Sequence, residues 1–249
     1  PNKSRITIRH LLTHTSGLLP GIRKGYDWNG KPTGIALACS EPSVGHAGYQ
    51  HRYSDINFIL LGEIVSRVTG KPLSAFAQET IFGPLQMKDT FFNPADTYLP
   101  RIAPTTMMDD GSVLKGVVHD PTAGAMAGEA GHAGLFTSAH DLARFARMIL
   151  QDGQLEGARI LHPETVELMS SVQTPEAVSV RRGLGFDIDS PYAGPRGKNF
   201  PLGSFGHSGW TGTSLWIDPF SQTTVIFLSN RNHPSGGDVR KLRYQLGTL

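Results

Sequence analysis

The chain reads as an α+β protein, with helices first and antiparallel strands last. Two stretches, "YSDINFILLGEIVSRVTG" and "TSAHDLARFARMILQDG", set apolar residues at helical spacing between a capping residue and a closing glycine. Beyond residue 183 the segments become short and β-rich, divided by Gly, Pro or Ser/Gln turns. The two parts, mainly helix and loop over 1–175 and strands with a closing helix over 183–249, read as one domain. Its 249 residues suffice for a sizeable core.

Taken in order, residues 7–14 predict a short helix capped by Thr7, with Ile8, Leu11 and Leu12 as its apolar stripe. Gly17 to Gly48 is rich in Gly and Pro and shows no period, so it reads as a long surface excursion. The next helix starts at Ser54 as N-cap, with Asn57 three residues on. Ile56, Leu60, Ile64 and Val68 share its face, and Gly70 stops it. Residues 73–81 continue as a second helix, and 92–134 read as loop, ending in the glycine-dense "GAMAGEAGHAG". Ser138 and Asp141 make a start resembling a capping box for the following helix, and Gly153 ends it. Pro163 fits the first turn of a helix over 163–171. "GLGFDID", "GSFGHSG", "GTSLWIDP" and "QTTVIFLSN" then read as strands, the last three as a consecutive antiparallel meander, with a helix over 236–246.

Bulk properties exclude several classes. Net charge is +2 and no Lys/Arg cluster is present, which argues against a nucleic-acid footprint. The longest apolar run, "FILLGEIV", is far too short to span a bilayer. Cys39 is the one cysteine, so no disulfide forms within the chain. The start, "PNKSRITIRH", has neither an initiator Met nor a signal peptide and reads as the middle of something.

Several motifs invite a chemical reading. His10 and His14 stand four apart, as in H-E-x-x-H, but Leu11 occupies the place of the glutamate base and no third ligand follows. They read as helix-terminal structure, and no metal is expected. "GHSGWTG" lacks the second glycine of a nucleophile elbow, because Trp210 sits there. "SVLK", Ser112 to Lys115, matches S-x-x-K but falls in a loop with no helical pattern after it. Tyr53, at the start of the strongest helix, is a general base if nearby cations lower its phenol, and a helix cap otherwise. Gly206, Gly209 and Gly212 leave a strand backbone bare. Either a ligand or another backbone approaches there, or the strand is simply bulged, and both readings stay open.

In their order, "ITIRHLLTHTSGL", "YSDINFILLGEIVSRVTG", "GHAGLFTSAHDLARFARMIL" and "FGHSGWTGTSLWIDP" resemble the serine β-lactamase and penicillin-binding-protein superfamily. The nearest branch holds class C β-lactamases, D-Ala-D-Ala carboxypeptidases and β-lactamase-like esterases. The resemblance covers nearly the whole chain and implies a β-lactamase-like (DD-peptidase-like) fold. It makes the "HLLTHTSGL" block scaffold below the active site. It places the Tyr-x-Asn motif on Tyr53, Ser54 and Asp55, and the Lys-Thr-Gly motif on His207, Ser208 and Gly209. By that carry-over Tyr53 is the general base, His207 lines the opposite wall with Ser208 and Gly209 on the substrate side, and the Trp210 N–H is half of the oxyanion hole.

The chain departs from the pattern at three points. Asp55 stands for a neutral asparagine, and His207 for a charged lysine. Both weaken an electropositive site and favour an ester, amide or peptide substrate over a β-lactam. The family's Ser-x-x-Lys lies well ahead of the "HLLTHTSGL" block, so neither nucleophile nor lysine is expected within residues 1–249, and an N-terminal segment of the same protein is expected to supply them. The implied function is a cofactor-free serine hydrolase acting through an acyl-enzyme on a small ester, amide or peptide, with this chain alone inactive. Rival readings are a non-catalytic relative that binds peptidoglycan peptides or a partner, and a zinc hydrolase using His10 and His14. Relatives are commonly exported, which implies the cell envelope or periplasm.

Overall fold

The computed structural model describes residues 3–23, 25 and 27–249. The first part contains α1 (Ile8–Leu12), α2 (Lys31–Ser40), α3 (Asp55–Thr69) and α4 (Leu73–Ala77), the last running into a π-helical turn over Gln78–Phe82. Short pieces follow: β1 (Phe91–Phe92), β2 (Pro104–Met107), β3 (Val113–Lys115), α5 (Pro121–Ala125) and β4 (Leu135–Phe136). Next come α6 (Ala139–Leu150), β5 (Gln154–Leu155), β6 (Ala158–Arg159) and α7 (Pro163–Ser170). The chain closes with β7 (Arg181–Arg182), β8 (Asp187–Asp189), β9 (Phe205–Ser208), β10 (Ser214–Asp218), β11 (Thr223–Phe227) and α8 (Arg240–Leu246). These last five strands form one antiparallel sheet in the order β11-β10-β9-β8-β7. The expected meander is therefore present, with β7 as an added edge strand.

Two large buried clusters and a small one around Trp216 and Phe200 hold the fold. Leu11, Leu18, Ile35, Ala38, Ile56 and Ile59 join α1, α2 and α3. Leu85, Met148, Ile149, Val166, Phe205 and Ile217 seal α6 and α7 against the sheet. Burial of such side chains is worth roughly 1.5–3 kcal/mol each before the entropy of ordering is charged against it.

Local chemistry explains the starts and stops. Thr7 Oγ1 accepts the His10 N–H and His10 Nδ1 accepts the Thr7 N–H, a reciprocal cap with imidazole in the glutamate's role. Gly70, at φ 69°, ends α3 in the left-handed conformation. Ser138 Oγ accepts the Asp141 N–H at 3.2 Å. The Asp141 carboxylate does not reach back, because it takes the Asp89 N–H and the Thr90 hydroxyl instead.

Four expectations are corrected. The first helix ends at Leu12, and His14, at φ 56°, lies beyond it, so His10 and His14 share no helical face. Gly17 to Gly48 is not all surface: it contains α2, which buries Ile35 and Ala38, and Gly34 lets that helix press on Met126. The stretch 92–134 contains the β2–β3 hairpin and α5, both too short to show a period. In α3 the buried residues are Ile56, Asn57, Ile59 and Gly62, while Val68 is 81 % exposed, so the inward face is rotated away from the 56-60-64-68 stripe. Ile59→Ala is therefore expected to cost roughly 2–5 kcal/mol, against within about 0.5 kcal/mol for Val68→Ala. Equal shifts of the urea midpoint for the two variants would contradict the assigned face.

Candidate active site

Tyr53, Asp55, His207, Ser208, Gly209 and Trp210 all line one cavity of about 1070 Å³. Two elements bring them together. The N-terminus of α3 carries Tyr53 and Asp55, and the end of β9 carries His207 and Ser208. The Tyr53 and His207 rings are 6.1 Å apart. Trp210 is 71 % exposed at the rim, with the Arg231 guanidinium 4.4 Å over its ring. Its backbone N–H has no acceptor among the described residues and stays available to an oxyanion.

Tyr53 owes its place to His14. The His14 ring lies stacked 4.2 Å from the Tyr53 ring. Its Nδ1 accepts the Ser54 N–H at 3.1 Å and faces Asn57 Nδ2 at 3.1 Å. Two donors at one nitrogen assign the proton to Nε2 and leave the ring neutral. Asn57 Oδ1 in turn accepts from Ser16 Oγ at 2.6 Å. Ser54 occupies the N-cap position without capping, since its hydroxyl donates to Leu19 O. The "HLLTHTSGL" block is thus structural and abuts the site.

The cavity does not supply the nearby cations that would lower the Tyr53 phenol. Burial, then Asp55, pushes the Tyr53 phenol up to about 12. No cation lowers it below the ordinary value; Arg182 opposes the rise and is outweighed. Burial and then Arg182 take His14 down to about 2, and the same causes take His51 down to about 4. Burial holds His207 below the ordinary imidazole value too. Burial also raises Asp55, with His132 opposing and Asp120 adding to the effect. Arg182 is fully buried and paired with Asp187. Arg101, the one Lys or Arg among the described lining residues, is held by Asp89 through bonds of 2.7 and 2.6 Å.

The bare glycines of β9 and its turn have structural causes. A side chain at Gly206 would strike Leu215 O, one at Gly209 would meet the Thr213 hydroxyl, and Gly212 sits at φ 124°. Ser112 lies in the exposed β2–β3 turn, its hydroxyl donating to Asp110 at 2.6 Å, far from a nucleophile's setting. The sequence reading missed His51, Tyr192, Asp120 and His132. Tyr192 stands 5.6 Å from Tyr53 with no motif around it. Asp120 and His132 line the cavity, and the glycines flanking His132 were the available signal.

The family model "Beta-lactamase" matches residues 1–249. The Escherichia coli (strain K12) "Putative D-alanyl-D-alanine carboxypeptidase" is 34 % identical over 211 residues, covering 78 % of this chain and 48 % of that protein. A Salmonella schwarzengrund (strain CVM19633) protein of the same name is 32 % identical over 218 residues, 82 % of this chain and 50 % of its own length. The chain thus spans about half the length of these relatives. Among solved structures, a penicillin-binding-protein homologue from Caulobacter crescentus superposes with TM-score 0.68 at 21 % identity, over 98 % of this chain and 70 % of that one. A family VIII carboxylesterase gives TM-score 0.71 at 22 % identity, over 98 % and 71 %. These structures share the fold.

The buried histidine makes stability depend on pH. His14 is neutral in the folded chain down to about pH 2, whereas an unfolded histidine protonates near 6.5. Between those values the unfolded state binds the extra proton, so stability is full above 6.5 and falls as pH drops below it, by up to about 1.4 kcal/mol per unit. His14→Asn keeps an acceptor at the Nδ1 position and tolerates the positive φ. It should make the fall between pH 7 and 5 shallower in urea titrations, with His51 and His207 supplying what remains. Equal slopes in parent and variant would refute the assignment.

Proposed function

The chain belongs to the beta-lactamase family, and from that premise we propose that the whole protein is a serine hydrolase forming an acyl-enzyme on an uncharged ester or amide. The observation that carries this reading is the convergence of Tyr53, the His207-Ser208-Gly209 strand and the free Trp210 N–H on one cavity. The D-alanyl-D-alanine carboxypeptidase names of relatives above 30 % identity support acyl transfer from an amide as well as an ester. The neutral His207 and the paired Arg101 set this cavity against the terminal carboxylate that a carboxypeptidase substrate bears.

A serine from the segment expected upstream attacks the carbonyl. Its proton passes to the Tyr53 oxygen and on to the leaving group, the Trp210 N–H faces the developing oxyanion, and water then releases the acyl group. Tyr53, pushed up to about 12, is a phenol within this chain. Its base form requires a cation beside the oxygen, and the lysine of the expected Ser-x-x-Lys is the group the family pattern supplies. No Ser-x-x-Lys precedes the His10–Leu18 block in residues 1–249, and we expect this chain alone to be hydrolytically inactive. Burst kinetics of the full-length protein on p-nitrophenyl acetate, with mass-spectrometric capture of the acyl-serine, test the reading; hydrolysis without any acyl-enzyme would end it.

Two outcomes are expected in the full-length protein. Tyr53→Phe should slow acylation by roughly 10²–10⁴-fold while leaving the thermal midpoint nearly unchanged. A loss within about threefold removes Tyr53 from the proton path. The second concerns substrate charge. Burial keeps His207 neutral, and no unpaired Lys or Arg lines the described cavity. The ratio of kcat/KM for carboxylate-bearing over neutral substrates should stay low and flat above about pH 6.5, rising only below it, because a histidine held under its ordinary value charges only in acid. His207→Lys should raise that ratio at pH 7. A ratio that the lysine leaves unchanged means His207 does not read substrate charge.

A further inference from the structure

Asp55, Asp120 and His132 converge on the cavity wall beside Tyr53, and each offers a ligand atom within 4.8 Å of the other two. We propose that these three side chains bind a divalent transition-metal ion, Zn²⁺ by their chemistry. The inference stands apart from the hydrolase reading, since it concerns binding to residues of this chain alone.

The trio is assembled by local structure. Asp55 is the first residue of α3, and Asp120 caps α5, its Oδ1 accepting the Ala123 N–H at 2.7 Å. His132 comes from the glycine-dense turn. That turn presses against α3 so closely that a side chain on Gly131 would collide with Phe58 O at 2.0 Å. A bare glycine is what lets the His132 ring reach Asp55 and Asp120. His132 Nε2 is 2.9 Å from Asp120 Oδ1, the same oxygen that takes the Ala123 N–H.

One observation at the carboxylates marks a missing ligand. The His132 side chain is 5 % exposed and its Nε2 faces Asp120, while its Nδ1, diverging from that side of the ring, is buried with no hydrogen-bond partner. The Asp55 carboxylate is half-buried, and no described donor reaches it. Two half-buried carboxylates set together repel each other, and a cation between them relieves that repulsion. Arg101, the one Lys or Arg on this cavity among the described residues, is already held by Asp89. A divalent cation cancels both charges.

The donor set names the ion class. One imidazole nitrogen with two carboxylate oxygens suits Zn²⁺, which takes such donors at about 2.0–2.2 Å in tetrahedral geometry. The ligand atoms are loosely gathered, so binding draws them together by side-chain rotation. Three protein ligands leave a fourth position facing the cavity, open to water or to an oxygen of a bound molecule.

The test uses the 249-residue chain after exhaustive chelation, titrated with Zn²⁺ by calorimetry and with Co²⁺ by visible spectroscopy. Expected are one equivalent bound, a rise in thermal midpoint, and a Co²⁺ spectrum of low coordination number. Asp55→Asn and Asp120→Asn, near-isosteric and checked for folding by circular dichroism, should each weaken Zn²⁺ at least tenfold, and His132→Gln should do the same. His140→Gln, in an exposed histidine outside the cavity, should leave affinity unchanged and so reports adventitious binding. Absence of stoichiometric Zn²⁺ binding overturns the proposal. So does binding that the folded Asp55→Asn and Asp120→Asn variants leave untouched, or that His140→Gln removes. None of these readouts needs turnover, so failure here leaves the acyl-enzyme reading standing, and loss of that reading leaves this one.

Discussion

The neutral His14 imidazole is the constraint on which the candidate site depends. It sits at a positive φ just past α1, where few side chains settle without a compensating interaction. Its compensation is threefold: an N–H from Ser54, an amide from Asn57, and the face of Tyr53. Through that one ring, the turn after α1 fixes both the direction in which α3 starts and the plane of the tyrosine. Protonation of Nδ1 would turn an acceptor into a donor and set it against two donors, so burial and function here require the same charge state.

Neutrality extends across the cavity. His14, His51 and His207 are all held below the ordinary imidazole value, first of all by burial. At His14 and His51 the Arg182 guanidinium of the buried Arg182–Asp187 pair adds to that effect, whereas at His207 the opposing Asp187 outweighs Arg182 and burial holds the ring down. A buried pair of this kind is costly to assemble and more costly to break, which makes it a poor source of stability and a good source of fixed field. The result is a wall of uncharged aromatic rings facing an acidic corner at Asp55 and Asp120. Such a wall offers shape and hydrogen bonds, and among the described lining residues no unpaired Lys or Arg.

The architecture was largely legible in the residues, because long amphipathic helices and turn-divided strands carry strong periodic signals. The α6 cap at Ser138 and the β9-β10-β11 meander follow directly from pattern. The failures have physical causes. In α2, Gly34 and Ala38 are buried through contact with Met126 and the neighbouring helix, which no local period reveals. The face of α3 was misread because Asn57 and Gly62, neither apolar, point inward to make specific contacts. Family pattern singled out Tyr53, Asp55 and the His207–Trp210 segment, and all of them line the same cavity. Asp120 and His132 escaped because they are separated from Asp55 by more than sixty positions in the chain and meet it only through tertiary packing.

The glycines explain how two distant segments make one rigid cavity. Gly131 lets the glycine-dense turn touch the α3 backbone at Phe58, and Gly206 lets β9 lie against Leu215 of β10 without a side chain between. Gly183 does the same for the approach to Met169 at the end of α7. Each contact is backbone against backbone, so each closes a gap that a side chain would hold open by several ångströms. Glycine loses more entropy on folding than any other residue, about 0.5–1 kcal/mol relative to alanine in a regular element. Gly131 and Gly206 each directly precede a residue that lines the cavity, His132 and His207. Close packing of the supporting backbone limits how far these groups drift, and catalysis by positioned donors depends on such preorganisation.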